Sequence, residues 1–145
     1  MDILQVFENH LLINALVSWL VAQVIKTIIY AIVNRTLDFH RLVGDGGMPS
    51  AHSATVTALA VTAGLQCGFD SPVFAVAATF AIVVMHDAMG VRLEAGKHAQ
   101  MLNELFELVM GNEAPDIKLK EFLGHTPSQV VCGAALGLVL ALLLG

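Results

Sequence analysis

Apolar residues in this chain gather into four long runs instead of alternating with polar ones. The first covers residues 11–33, and at about 1.5 Å per residue it can cross a hydrocarbon layer of about 30 Å. The others cover 49–66, 72–91 and 127–144. The second and fourth are short for an unaided crossing, so tilt, local thinning or burial among neighbours is expected. A polar insert, 92–124, separates the last two runs. Within it Leu102, Leu105, Phe106 and Val109 recur at helical spacing, while Gln100, Asn103, Glu104 and Glu107 face the other way. That spacing predicts an amphipathic helix lying along the interface or capping the bundle. Gly111-Asn112-Glu113-Ala114-Pro115 ends it, and a short helix is predicted over 116–123. The whole pattern predicts a single all-α domain over 1–145. It is an integral membrane helical bundle of about four membrane helices plus an amphipathic interfacial helix.

Composition supports that reading. Hydrophobic residues make up 57% of the 145 and charged residues 13%, beyond what a soluble domain carries. The net charge of −5 comes with no basic stripe, so no nucleic-acid partner is expected. Cys67 and Cys132 lie in separate apolar segments without metal or redox spacing and read as packing residues. Asp2 and Glu8 stand where a signal peptide would be basic, so the first run is expected to stay as an anchor. All seven Lys and Arg lie in the inner half of that run, in the 34–48 loop or in the 92–126 region. The positive-inside rule then puts both loops on the cytoplasmic side of the plasma membrane and both termini outside. If the same residues bind phosphate, their asymmetry reports the site as well as the topology.

The runs also carry polar groups. Trp19, Gln23, Lys26 and Tyr30 fall at i, i+4, i+7 and i+11, giving the first run a polar stripe. A lysine that deep costs several kcal/mol unless it is paired or wet, so it points to a functional cavity. Ala54, Ala58, Ala60 and Gly64 in the second run and Gly133-x-x-x-Gly137 in the fourth permit close helix approach.

Chemistry concentrates at run boundaries. Gly46-Gly47-Met48-Pro49-Ser50-Ala51-His52-Ser53 opens the second run with glycines, a hydroxyl and an imidazole. A helix start of that kind can cradle an anion, with Gly47 and Ser50 at the phosphate and His52 as general acid. Ser50 reads equally as a plain helix cap, and His52 as a core hydrogen-bonder. Gly124-His125-Thr126-Pro127-Ser128-Gln129 opens the fourth run, placing His125 on the same face, where a neutral imidazole could attack phosphorus. An isolated histidine there would read as an interfacial anchor. Arg92 ends the third run and suits bidentate binding of phosphoryl oxygens, or interfacial snorkelling. Asp87 lies deeper and is expected to pair with Lys26 or Arg92 or to orient a histidine. His10, His40 and His98 have no partners at ligand spacing, so no metal and no cofactor is expected. Arg35, Asp38 and Arg41 read as a solvated loop with weak ion pairs. Lys118 and Lys120 read as lipid-headgroup contacts.

Together these motifs resemble the type 2 phosphatidic acid phosphatases, a superfamily related to the vanadium-dependent haloperoxidases. Pro49-Ser50-Ala51-His52 resembles its P-S-G-H motif, and the run from His125 to Gly133 its H-x-P-S-D-V-x-x-G motif. With His86-Asp87-Ala88-Met89-Gly90-Val91-Arg92, the combination is similar to a small divergent membrane branch. The resemblance implies that His125 is the nucleophile and His52 the acid for the leaving group. It also implies that Lys26, Ser50 and Arg92 hold the phosphate. This chain departs from the pattern in three places. Lys26 and Arg35 are nine apart without a following Pro, Arg92 precedes His125 by the whole insert, and Gln129 replaces the orienting Asp. A Gln can fix a tautomer but brings no charge. The chain also has fewer membrane helices than the family core, which favours a homodimer. The expectation is a metal-independent membrane phosphatase acting on a lipid-linked phosphate or diphosphate. The alternative is a non-catalytic lipid-phosphate-binding protein, whether pseudoenzyme, scaffold or transporter component.

Overall fold

A computed structural model describes residues 3–36, 46–110, 118–121 and 123–145. Asp38, His40 and Arg41 of the predicted loop and the Gly111–Pro115 break lie outside the described residues. A short 3-10 turn, Ile3–Glu8, leads into α1 (His10–Asn34). Asn9 starts that helix by accepting from the Leu12 amide at 3.1 Å, and Arg35 ends it in the left-handed region at φ 54°. Then come α2 (Ala51–Cys67), α3 (Pro72–Met89), α4 (Val91–Met110) and α5 (Pro127–Leu144), with no strand among the described residues. The all-α membrane bundle expected from the pattern is the observed fold. α1, α5 and the nearly continuous Pro72–Met110 stretch are long and apolar enough to cross a membrane.

α2 is the centre of the bundle. At 17 residues it spans only about 25 Å, short of the hydrocarbon thickness. Burial resolves the shortfall: α2 packs against α1, α3 and α5, and no residue from 51 to 64 is exposed. Its small side chains make this possible, since Ala54, Ala58 and Ala63 are fully buried. A Cβ on Gly133 would stand 2.3 Å from the Ser50 carbonyl oxygen, and one on Gly137 2.3 Å from that of Ala54. The two glycines therefore let α5 lie backbone-to-backbone on α2. Polar stitching adds to this, with Asn14 donating to Thr62 at 3.2 Å between α1 and α2. Large apolar residues point outward instead: Leu16, Leu20, Ile28, Val76, Ile82, Val83, Val139 and Leu142 are all exposed. A small-residue interior with a greasy exterior suits lipid as the solvent.

α1 and α3 both pack on α2 yet not on each other among the described residues. The gap between them, floored by α2, is the cleft described below.

The polar insert differs from its prediction in three respects. Helix begins at Val91, directly after the Gly90 break, so Arg92 belongs to the first turn of α4 and does not end α3. The expected apolar stripe is real, but Leu102, Leu105, Phe106 and Val109 all face outward, suiting an interfacial position more than a cap. Inward-facing instead are Gly96, Ala99 and Asn103. Finally, residues 118–121 and 123 are not helical, and the remainder of the helix predicted over 116–123 lies outside the described residues. The segment instead satisfies its backbone on the side chain of Asn103. Lys118, exposed, pairs with Glu107 at 2.8 Å; that hydrogen bond and then the carboxylate charge hold its ammonium above the ordinary lysine range.

Candidate functional site

The site grows from the seam between α2 and α5. Pro49 stands one residue ahead of the helix cap, not at the first helical position, and Ser50 is the cap itself. Its amide donates to the Gln129 carbonyl at 3.1 Å, tying the mouth of α2 to the first turn of α5. Its hydroxyl oxygen accepts from the Ser53 amide at 3.3 Å and the Ser53 hydroxyl at 3.0 Å. Both serines are fully buried. Ser50 thus spends its amide and its acceptor capacity on structure, and the capping role weighed from the sequence is what the geometry displays.

The same seam sets His125. Its amide donates to the Ala88 carbonyl at 3.0 Å, which pins it to the last turn of α3. Its Nδ1 lies 3.2 Å from Gln129 Oε1, and the Thr126 amide donates to that same oxygen at 3.0 Å. An N–H can donate only to the oxygen of the amide, so the Thr126 bond settles which way Gln129 is turned. Nδ1 of His125 must then carry the proton in the neutral imidazole, with the lone pair on Nε2. Gln129 accordingly both boxes the helix start and fixes the imidazole tautomer.

His52, half-buried in the first turn of α2, meets His125 edge to face with ring centroids 5.8 Å apart and planes at 63°. Two imidazoles separated by 73 residues of chain therefore share one spot. His52 also lines a cleft of about 420 Å³ with Trp19, Phe80, Val84, Asp87 and Arg92. His125 is 3% exposed and sits behind His52 without being part of that lining. Along α3 the cleft runs from Phe80 to Asp87, about 10 Å, apolar at one end and charged at the other.

At the charged end Arg92 Nε and Asp87 Oδ2 pair at 2.7 Å, with both side chains partly exposed at 48% and 40%. Asp87 is thus shallower than its position in the third run suggested, because α3 ends only two residues later. Of the pairings weighed for it, the one with Arg92 is observed. This bond uses Nε of the guanidinium and leaves its terminal nitrogens for other acceptors.

Lys26 is placed differently. It is 5% exposed, and its stem lies against Gly47, where a Cβ would come within 3.0 Å of Lys26 Cδ. Gly47 has φ +83°, a conformation strained for any side chain, and a Cβ there would also crowd the Lys26 stem. These two residues, with Tyr30, Asn34 and Met48, line a separate cavity of about 170 Å³. Lys26 and Arg92 therefore line two different cavities, and only that of Arg92 includes a histidine, His52. The predicted α1 stripe is split the same way: Trp19 faces the cleft, while Gln23 and Lys26 are buried. Gln23 Oε1 is buried without a hydrogen-bond partner among the described residues, one turn from Lys26.

Sequence reasoning missed four contributors. Ser53 braces Ser50, Asn103 holds the segment leading to His125, and Phe80 and Val83 wall the cleft. Ser53 alone had a signal, its place beside His52; the others depend on which helix face turns inward.

Comparison with known proteins gives a consistent answer. Residues 7–140 match the Divergent PAP2 family. An uncharacterized membrane protein of Bacillus subtilis (strain 168), YuiD, is 43% identical over 154 aligned positions covering 97% of each chain. No solved structure matches. With the family's histidine motifs facing each other inside a membrane bundle, and with a match over nearly its whole length, this chain belongs to the Divergent PAP2 family of membrane proteins.

Proposed function

We propose that this protein is a membrane phosphatase that hydrolyses a lipid-linked phosphate or diphosphate through a phosphohistidine. The observation that carries the reading is the edge-to-face pair of His52 and His125 at the charged end of a cleft that opens between α1 and α3. In the first step Nε2 of His125 attacks phosphorus and the bond to the leaving oxygen breaks. His52, protonated, gives its proton to that oxygen. In the second step water attacks the phosphohistidine, His52 takes the water proton, and inorganic phosphate leaves. Arg92 binds equatorial oxygens as charge spreads over them, and Lys26 adds positive charge from the second cavity. Ser50 with Gly47 shapes the helix mouth, Gln129 holds the tautomer, and Asp87 aims Arg92. No step uses a metal or a cofactor.

The cleft supports a lipid substrate. Its walls at Trp19, Phe80 and Val83 are apolar and face outward, so a hydrocarbon chain can stay partly in the bilayer while its phosphate reaches Arg92. We place the motif face on the cytoplasmic side of the plasma membrane, following the Lys and Arg distribution, and expect a homodimer.

The test is phosphate release by the purified full chain in detergent, with EDTA, from a panel of glycerolipid and isoprenoid phosphates. Release that His125→Ala abolishes supports the mechanism, and release that survives it refutes it. The second reading, a non-catalytic lipid-phosphate binder, draws on Gln129 standing where the motif has Asp. It predicts saturable vanadate binding with no turnover across the panel.

A further inference from the structure

The stretch before His125 is clamped along α4 at a series of points that descend in order. The Leu119 amide donates to Asn103 Oδ1 at 2.9 Å, and Asn103 Nδ2 donates back to the Leu119 carbonyl at 3.0 Å. The same Nδ2 donates to Glu121 Oε1 at 2.8 Å. Asn103 thus imitates a backbone partner in a β-ladder, and it is only 7% exposed on a helix that is otherwise mostly bare. Next, a Cβ on Gly96 would meet the Glu121 carbonyl at 2.4 Å, and one on Gly124 would meet Leu93 Cα at 2.4 Å. Last, the His125 amide reaches Ala88. As the strap advances toward His125, its contacts step back along the helix.

The two spacings are similar. Leu93 and Asn103 are ten residues apart, about 15 Å of helix. Leu119 and Gly124 are five apart, about 16 Å when extended. The helix length between the two anchors is comparable with the reach of five extended residues. A shift at the Asn103 end is passed along the strap toward Gly124 and His125.

We infer that Asn103 is a positioning residue: it fixes the register of the strap on α4 and thereby holds His125 in edge contact with His52. The geometric claim stands by itself, and its effect on turnover rests on the phosphatase reading above. It assigns the polar insert a role in aligning the nucleophile, beyond any contact of α4 with lipid.

The test uses the full chain in detergent micelles, with histidines labelled with ¹⁵N and the His125 ring assigned through His125→Gln. Three variants are compared: Asn103→Ala, the swap Asn103→Asp with Glu121→Gln, and Gln100→Ala as an exposed control on the same helix. Asn103→Ala should erase the Nδ1-protonated signature of His125 while leaving helicity unchanged. Where dioleoyl phosphatidic acid is hydrolysed, its kcat should fall on the order of 10–100-fold with KM within about twofold. The swap keeps the acceptor for the Leu119 amide and rebuilds the 103–121 bond with reversed polarity, so it should recover part of both readouts. Unchanged ring signals in Asn103→Ala would overturn the inference. So would signals lost only together with helicity and not recovered by the swap. If no lipid phosphate is turned over, the phosphatase reading fails and the ring signals alone decide the role of Asn103.

Discussion

Gly133→Ala puts the α2–α5 seam under direct test. The added Cβ would stand 2.3 Å from the Ser50 carbonyl oxygen and 3.0 Å from Ser53 Cβ. Non-bonded carbon and oxygen do not approach below about 3 Å, so the helices must part by about 0.7 Å or more in a close-packed interior. The Ser50 amide and Gln129 carbonyl, now 3.1 Å apart, lie one turn from this contact and would open toward 4 Å, where about 1 kcal/mol of net hydrogen bonding is lost. Overpacking of this kind costs about 1–3 kcal/mol in total. Under the phosphatase reading the catalytic cost is larger, since Gln129 also carries His125 through its side chain, and a misplacement near 1 Å can cost on the order of 10²-fold in rate. Stability is read from thermal unfolding in detergent through Trp19, the single tryptophan, and rate from phosphate release. Gly137→Ala is the partner experiment: it meets Ala54 equally closely but one turn deeper, so it should match the stability loss with a smaller loss of rate. Equal losses of rate in both variants, or normal turnover in Gly133→Ala, would refute the idea that this seam aligns the imidazoles.

Other outcomes follow from single contacts. Gln129→Glu keeps the bonds to His125 Nδ1 and the Thr126 amide while adding charge, so turnover should rise several-fold and the group governing the acid limb of the pH–rate profile should titrate higher. Arg92→Lys cannot hold Asp87 through Nε and still offer two nitrogens to phosphate, so kcat/KM should fall on the order of tenfold or more. Phosphatidic acid brominated high on its acyl chain should quench Trp19 fluorescence more than equally brominated phosphatidylcholine; equal quenching would remove the cleft as a lipid site. Trp19→Ala should raise KM for long-chain phosphates and leave short-chain ones unchanged.

What the sequence made legible was local. α5 begins and ends where the pattern put it, because Pro127, Thr126 and Gln129 set its start within a single turn. α2 begins one or two residues later than predicted because its cap was chosen by a bond to Gln129, far away in the chain. The two histidine motifs were readable as residents of one face, but their contact depends on how closely Gly133 lets two backbones approach. Asn103 was assigned to the polar side of α4 from its spacing, and it is buried because its partners lie 16 and 18 residues on. The separation of Lys26 from Arg92 was likewise out of reach. Both read as cations at the inner end of apolar runs, and only the packing of α1 and of the α3–α4 junction around α2 sends them to different cavities.

Charge placement bears on how a neutral Gln129 can serve a phosphatase. In the motif one acid both orients the nucleophile and balances the imidazolium that forms. Here Gln129 orients, and the balancing carboxylate must come from elsewhere. Asp87 lines the same cleft as His52, tied to Arg92 by a pair that is partly exposed on both sides. Such a pair is worth only about 0–1 kcal/mol, so a phosphate dianion can draw the guanidinium away at little cost. The carboxylate released in that exchange faces a cleft from which substrate has excluded water, and there a negative charge raises the basicity of a nearby imidazole. Under the phosphatase reading, substrate binding itself would then supply the charge that residue 129 lacks, and Asp87→Asn would cost rate in the presence of substrate while leaving the His125 tautomer intact.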